Sequence, residues 1–291
     1  MKQFFTLLII MAATWWPLSM QAQKAPDKRV NITCTPADSA EIVQLLSSGC
    51  TSTIAFAQHF IDRPYVAHTL EVNDEEHPVV NTRQLDCTTL VETVVALTLC
   101  SAQGKTSFAD YTDMLTRLRY RQGIIDRYPS RLHYFSDWID DNTQLKLVRE
   151  IQLGGAPFTA TQRLNINYMS RHADAYTALK AHPEFIETIA QQERALTGRR
   201  YRYIPKSKVG NMPSLRSVVK DGDIIAITCK KSGLDIAHLG FAVWKEDGLH
   251  LLNASQIHQK VVLEPMTLRQ YLYNHPSHTG IRIIRLNTKQ N

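Results

Sequence analysis

Three residues, far apart in the chain, have the types that cysteine-dependent acyl chemistry requires. Cys87 lies in Leu85-Asp-Cys-Thr-Thr-Leu-Val-Glu-Thr93, where Leu90, Val91, Val94, Val95 and Leu97 follow with helical spacing. The thiolate is the attacking species, and a helix N-terminus favours it through unpaired N–H groups and partial positive charge. The same N–H groups can hold an oxyanion once a carbonyl is attacked. A free cysteine by itself is more often a small buried hydrophobe, so the case rests on what accompanies it. His238, in Asp235-Ile-Ala-His-Leu-Gly240, stands at the mouth of an apolar strand beside a glycine. Asn253 sets an amide inside the apolar run Leu251-Leu-Asn-Ala-Ser255. A cysteine nucleophile needs a base, and the base needs a third group that fixes its tautomer and ring orientation. Cys87, His238 and Asn253 supply that set, although a strand-end histidine or a bulge asparagine would each be ordinary alone. His250 competes for the third place, but three residues from Asn253 it points to the other face of a regular strand.

The elements that must position these groups fall into two halves. Over residues 36–60 the apolar positions suggest helices broken near Ser47-Ser48-Gly49, and residues 65–73 read as a strand. The helix that starts at Cys87 is expected to reach Cys100, with a further helix over 107–120. Residues 122–142 are irregular and rich in aromatic side chains, and 158–197 read as mainly helical, with Gly198 as a stop. Strands are expected over 223–228, 238–244, 249–255, 260–263 and 280–286, with Asp247-Gly248 as a hairpin turn. Helices first and an antiparallel sheet afterwards indicate an α+β fold.

The chain has 291 residues, 44% of them apolar, and a formal net charge of +6. No run of Lys and Arg exceeds three residues, which speaks against nucleic acid. Arg117, Arg119, Arg121, Arg127 and Arg131 are spread through a Tyr-containing segment, which suits either a solvated face or a mildly anionic ligand. At the N-terminus, Lys2 precedes an uncharged apolar stretch and then Ser19-Met-Gln-Ala22, which reads as a secretory signal peptide over residues 1–22. The expectation is an exported, periplasmic protein whose mature part, 23–291, forms one domain. The first cysteine, Cys34, lies beyond the cut, so no lipid anchor is indicated. An odd count of five cysteines leaves at least one thiol free. Cys34 and Cys50 are close enough in sequence to pair, but Cys100 and Cys229 are also candidates. No Cys-x-x-Cys or His-Glu-x-x-His pair is present among the 5 cysteines and 11 histidines, so neither a metal nor any other cofactor is expected.

With these motifs in place, the chain resembles the NlpC/p60 cell-wall cysteine hydrolases, which are papain-like: a Cys-bearing helix packs on a C-terminal antiparallel sheet that carries the histidine. The longer resemblance is to a branch of N-acetylmuramoyl-L-alanine amidases found in Bacteroides-like bacteria. It is carried by Pro64-Tyr-Val-Ala67 with Thr69-Leu-Glu71, by the Cys87 segment, by Leu132-His-Tyr-Phe-Ser-Asp-Trp138, and by His238-Leu-Gly240 with Leu251-Leu-Asn253-Ala-Ser255. Two departures stand out. Cys87 and His238 are 151 positions apart (238 − 87), which demands a large helical and aromatic insertion around residues 101–200. The third catalytic position is commonly histidine in this family, and here it is Asn253.

The resemblance implies cleavage between the lactyl group of N-acetylmuramic acid and L-alanine, with a preference for soluble muropeptides ending in a 1,6-anhydro sugar. It implies the Cys87 N–H, assisted by Tyr65, as oxyanion donor, and His238 as base and then acid. The segment holding Arg131, His133, Tyr134, Asp137 and Trp138 is the candidate for substrate binding, since aromatic faces suit sugar rings and Arg suits carboxylates. Ordinary packing would explain the same residues. An endopeptidase on the same scaffold, or a non-catalytic muropeptide-binding protein, are the alternatives. A monomer is expected, with no nucleic acid or metal as partner.

Overall fold

The computed structural model describes residues 31–210 and 213–288. The expected signal peptide, residues 1–22, lies outside them. Among the described residues no helix is long and apolar enough to cross a membrane.

In chain order the elements are α1 (Pro36–Ser47), α2 (Thr53–His59), α3 (Cys87–Ala102), α4 (Phe108–Arg119), α5 (Phe135–Gln144), β1 (Val148–Ile151), β2 (Ala160–Arg163), α6 (Tyr168–Arg171), α7 (Thr177–Ala181), α8 (Phe185–Leu196), β3 (Arg200–Pro205), α9 (Pro213–Val218), β4 (Ile224–Cys229), β5 (Ile236–Trp244), β6 (Leu249–Ser255), β7 (Lys260–Leu263), α10 (Leu268–Asn274) and β8 (His278–Leu286). The eight strands form one sheet in the order β2-β3-β8-β4-β5-β6-β7, with β1 also pairing to β8, and every pairing is antiparallel. Helices flank this sheet, so the fold is α+β.

Helix α3 is the pivot. Asp86 caps it: its carboxylate accepts from the Thr89 N–H at 2.8 Å while the Thr89 hydroxyl accepts from the Asp86 N–H at 2.9 Å. Every residue from Thr89 to Cys100 is buried, so the helix packs on all sides rather than along one stripe. One side meets α1, α2 and α4; another meets Leu239 and Phe241 of β5 and Leu252 and Ala254 of β6 in the same apolar cluster. Glu92, facing this core, is matched by the buried Arg119 of α4 at 2.7 Å, which also donates to the Val79 carbonyl. A lone carboxylate there would cost several kcal/mol, roughly 3–5 when one partner of a buried pair is removed. The opposite face of the sheet packs Ile225, Ile227, Leu251 and Ile281 against α10. A third cluster joins Tyr134, Met169, Leu179, Ile189 and Tyr201 from the segment between Cys87 and His238.

Several expectations need correction. The inserted segment is not only helical: it contributes β1, β2 and then β3 to the sheet, β1 pairing along β8 from Val148↔Leu286 to Ile151↔Ile283. Val148-Arg-Glu-Ile151, short, half exposed and far in sequence from its partner β8, carries too little alternation to register in sequence. Residues 65–73 form no strand; Tyr65 makes a single bridge to Leu85. The 122–142 segment is irregular only as far as Tyr134, after which α5 begins. The pairing of cysteines, which the sequence leaves open, is resolved as none: all five are free thiols.

Candidate active site

Capping sets where Cys87 sits. With Asp86 as N-cap, Cys87 is the first helical residue of α3, and its N–H and that of Thr88 are among the four that no helical carbonyl reaches. Cys87 and Thr88 open onto a cleft of about 180 Å³, shared with His238, Leu239, Ile236, Ala237 and Asp235 of β5 and its approach. The far wall is His133, Tyr134, Phe135, Met169 and Tyr176.

His238 is placed by the β5–β6 hairpin. Lys245 N–H donates to the Gly248 carbonyl at 2.8 Å and closes a four-residue loop, 245–248, in which Gly248 takes φ +151°. Phe241 then faces Leu252 across the pair. Gly240 is required by close approach: a Cβ there would lie 2.7 Å from the Leu252 carbonyl oxygen. This hairpin brings His238 Nε2 to 2.8 Å from Asn253 Oδ1. The amide oxygen can only accept, so Nε2 carries the proton and Nδ1 keeps a free lone pair. Behind Asn253, its Nδ2 donates to Glu264 Oε1 at 3.0 Å, and Glu264 Oε2 lies 3.2 Å from His258 Nε2. His250 is turned away, between the Glu264 carbonyl and Asp247 Oδ1, each 2.9 Å distant.

Cys87 and His238 face the same cleft without a direct hydrogen bond among the described residues, as is common before substrate binds. Burial pushes the Cys87 thiol up to about 12, with the Asp86 carboxylate adding to it, while N–H groups of Leu239 and Cys87 and the Thr88 hydroxyl oppose the rise. Burial holds His238 below the usual imidazole value, against the pull of the Asn253 hydrogen bond and of the Glu264 charge. Tyr65 is half-buried near the nucleophile. Burial, then the charges of Cys87 and Asp86, push its phenol up to about 12, so it keeps its proton and remains a donor.

The expected substrate-binding residues divide. His133 and Tyr134 line the cleft. His133 Nε2 donates to the Tyr128 carbonyl at 3.1 Å, and burial, then the Arg131 charge, lower its pKa to about 3, so it is a neutral wall. Tyr134 donates to the buried Glu193 carboxylate at 2.6 Å, which also accepts from the N–H groups of Met169 and Ser170. Arg131, Asp137 and Trp138 are not brought to the cleft. The Arg131 guanidinium is buried and already holds Glu71 and Glu76, each at 2.7 Å. Asp137 pairs with Arg121, and Trp138 is fully enclosed, stacked 4.8 Å from Phe135. Of the arginine group, Arg119, Arg121, Arg127 and Arg131 all have carboxylate partners, which accounts for them structurally. Sequence reasoning did not single out Tyr176, Met169 or Asp235. Asp235 had a signal, three residues before His238; buried, it accepts from the Ser136 N–H at 2.6 Å near the start of α5. Tyr176 and Met169 had none beyond ordinary helical spacing. Among the described residues, no three His, Cys, Asp or Glu side chains gather as a metal ion would need.

Comparison with known proteins agrees in direction. A family model described as AmiA-like, N-acetylmuramoyl-L-alanine amidase-like, matches residues 55–281. A solved structure from Bacteroides uniformis, named an N-acetylmuramoyl-L-alanine amidase, is 40% identical with TM-score 0.76, covering 81% of this chain and 99% of its own. A Bacteroides fragilis protein provisionally designated a xylanase is 41% identical with TM-score 0.74, over 80% of this chain and 99% of its own. A Legionella pneumophila protein, 21% identical with TM-score 0.66 over 86% of this chain and 94% of its own, shares the fold. No curated protein matches.

Proposed function

The chain belongs to the AmiA-like, N-acetylmuramoyl-L-alanine amidase-like family, and on that premise we propose that it hydrolyses the amide between N-acetylmuramic acid and L-alanine in peptidoglycan fragments. The observation that carries this reading is the 2.8 Å contact of His238 with Asn253 on the same cleft as Cys87 at the start of α3. Substrate would enter with its lactyl carbonyl over the Cys87 N–H. Nδ1 of His238 takes the thiol proton as Sγ attacks the carbonyl carbon, and the oxyanion rests on the Cys87 N–H with Tyr65 as a second donor. The tetrahedral adduct collapses, the C–N bond breaks, and the imidazolium returns its proton to the alanine nitrogen. Water, deprotonated by His238, then attacks the thioester and releases the sugar acid and the Cys87 thiol. No metal or cofactor is needed for these steps.

In finer detail we read the core as papain-like, of the NlpC/p60 arrangement, and the mature chain as one exported, periplasmic amidase domain acting as a monomer. The aromatic wall of His133, Tyr134, Phe135 and Tyr176 supports a preference for a compact 1,6-anhydro sugar, since such faces suit a sugar ring. Glycoside cleavage, which the designation of the Bacteroides fragilis relative would suggest, requires two carboxyl groups flanking the bond. The cleft walls carry one, Asp235, engaged with the Ser136 N–H.

The test is mass spectrometry of defined anhydro-muropeptides after incubation with purified protein, beside Cys87→Ala and with EDTA present. Release of the sugar from an intact peptide beginning in L-alanine, absent with Cys87→Ala and unaffected by EDTA, is expected. Cleavage inside the peptide would replace the amidase by an endopeptidase. No product from the wild-type chain would sink the substrate assignment and favour a binding role.

A further inference from the structure

We propose that Glu264 is a positioning residue, which sets the tautomer of His238 by holding the side-chain amide of Asn253 in one orientation. This deepens the triad reading above and rests on it.

An asparagine amide has two ends of nearly equal shape and opposite hydrogen-bonding sense, so a partner must choose between them. Asn253 is fully buried on β6, and among the described residues its Nδ2 meets two acceptors, Glu264 Oε1 at 3.0 Å and the more distant Leu251 carbonyl at 3.5 Å. Glu264 makes the choice. A carboxylate only accepts, so the end of Asn253 that faces Oε1, at 3.0 Å, must be the NH₂. Oδ1 is thereby turned to His238 Nε2, which must donate, and Nδ1 is left as the base. With the amide reversed, the NH₂ would face Nε2, the proton would move to Nδ1, and His238 could not accept from Cys87.

Glu264 is itself held rigidly. It follows β7, is 1% exposed, donates its N–H to the Leu251 carbonyl at 2.9 Å, and receives His250 Nδ1 on its own carbonyl at 2.9 Å. Its second oxygen faces His258, whose side chain is about one-third exposed. No Arg or Lys pairs with it among the ion pairs of the described residues, and burying a carboxylate without one is costly. A glutamine would fill the same space with less desolvation, but either of its ends can face Asn253. The selection of one amide end is what the charged form adds. The charged and titratable groups around His238 are Asp86, Glu264, His275 and His278, with the Tyr271 ring 6.2 Å away. Those around Glu264 are His238, His250, His258 and Tyr271.

The experiment reads Cys87 directly, so that it does not depend on the substrate. Alkylation of Cys87 by iodoacetamide is followed from pH 4 to 9 by mass spectrometry of the Cys87 peptide, in the full chain and in Glu264→Gln, Glu264→Asp, Asn253→Ala and the double variant Glu264→Gln/Asn253→Ala. Glu264→Gln should slow the plateau rate about tenfold, the size of a coupled pair of neighbours. Its acid midpoint should move down, because the charge that favours the imidazolium is gone. Glu264→Asp keeps that charge and should hold the midpoint. In the Asn253→Ala background the rate loss from Glu264→Gln should vanish. Mere loosening of the fold would admit water to a desolvated His238 and move the midpoint up, towards the ordinary value of about 6.5. An unchanged or rising midpoint, a plateau within twofold of wild type, or an undiminished loss in the Asn253→Ala background would each overturn the proposal. A wild-type chain that alkylates as expected yet cleaves no muropeptide would overturn the substrate reading alone.

Discussion

Burial acts on both reacting side chains, and in each case against the charged form. It raises the Cys87 thiol to about 12 and holds His238 below the ordinary imidazole range. At neutral pH the pair therefore rests as thiol and imidazole, and the proton leaves sulfur as the attack proceeds rather than beforehand. Protonating His238 removes the base, so kcat/KM should be flat near neutrality and fall on the acid side, with a midpoint below about pH 6.5. A midpoint above 7 in the pH profile of muropeptide hydrolysis would instead indicate a preformed thiolate–imidazolium pair. At this scale much of the site was legible, because Cys87, His238 and Asn253 have residue types that stand out against their apolar surroundings. Glu264 does not: a glutamate after a short strand looks like any solvated loop residue until the amide behind it is seen. Arg131 misleads for the complementary reason, since its partners Glu71 and Glu76 lie 60 and 55 positions away and nothing local announces them.

The elements hold the site through two devices, the cap of α3 and the close approach of β5 to β6. Asp86→Ala removes an acceptor from the Thr89 N–H and should cost about 1 kcal/mol in urea unfolding, the usual worth of such a cap. Gly240→Ala is the sharper test. Its Cβ would meet the Leu252 carbonyl oxygen at 2.7 Å and Leu251 Cδ1 at 2.8 Å. The strands must part by several tenths of an ångström, with overpacking of about 1–3 kcal/mol. The His238–Asn253 contact spans the same strand pair and lengthens with it. Reduced kcat should accompany the lowered urea midpoint, and a variant as active as wild type would show that the hairpin does not set the contact. The consecutive strands β6 and β7 were legible, since they begin and end where alternation and turn residues place them. Strands β1 and β2 were not, because each pairs with a strand far along the chain, whereas β7, equally short, directly follows its partner β6.

Across the whole molecule, buried polar links join elements beside the apolar clusters: Arg282 of β8 holds Glu150 of β1 and the Ser136 hydroxyl of α5. Acid stability is set by what such burial does to histidines. His133 is lowered to about 3 by burial and then by the Arg131 charge, and His278 to about 4 by burial and then by the charges of His275 and His238. Both are neutral when folded, whereas an unfolded histidine binds a proton near pH 6.5. Their folded values are depressed, so their contribution is complete above about pH 6.5 and is lost progressively as the pH falls towards 4 and then 3. The Asp38 carboxylate behaves differently. Hydrogen bonds from Thr35, Thr82 and Arg83 outweigh burial and hold it well below its usual range, so its contribution is lost only below about pH 4. Unfolding by urea should therefore become easier between pH 6.5 and 4.5, before the carboxylates titrate. In His133→Gln, whose amide can still donate to the Tyr128 carbonyl, stability at pH 7.5 should fall through the lost ring contact with Tyr128, whose centroid lies 4.4 Å away in a tilted arrangement. Its further decline down to pH 4.5 should be shallower than that of wild type. Parallel declines in the two chains would show that His133 is protonated as easily folded as unfolded, and would open the aromatic wall of the cleft to water.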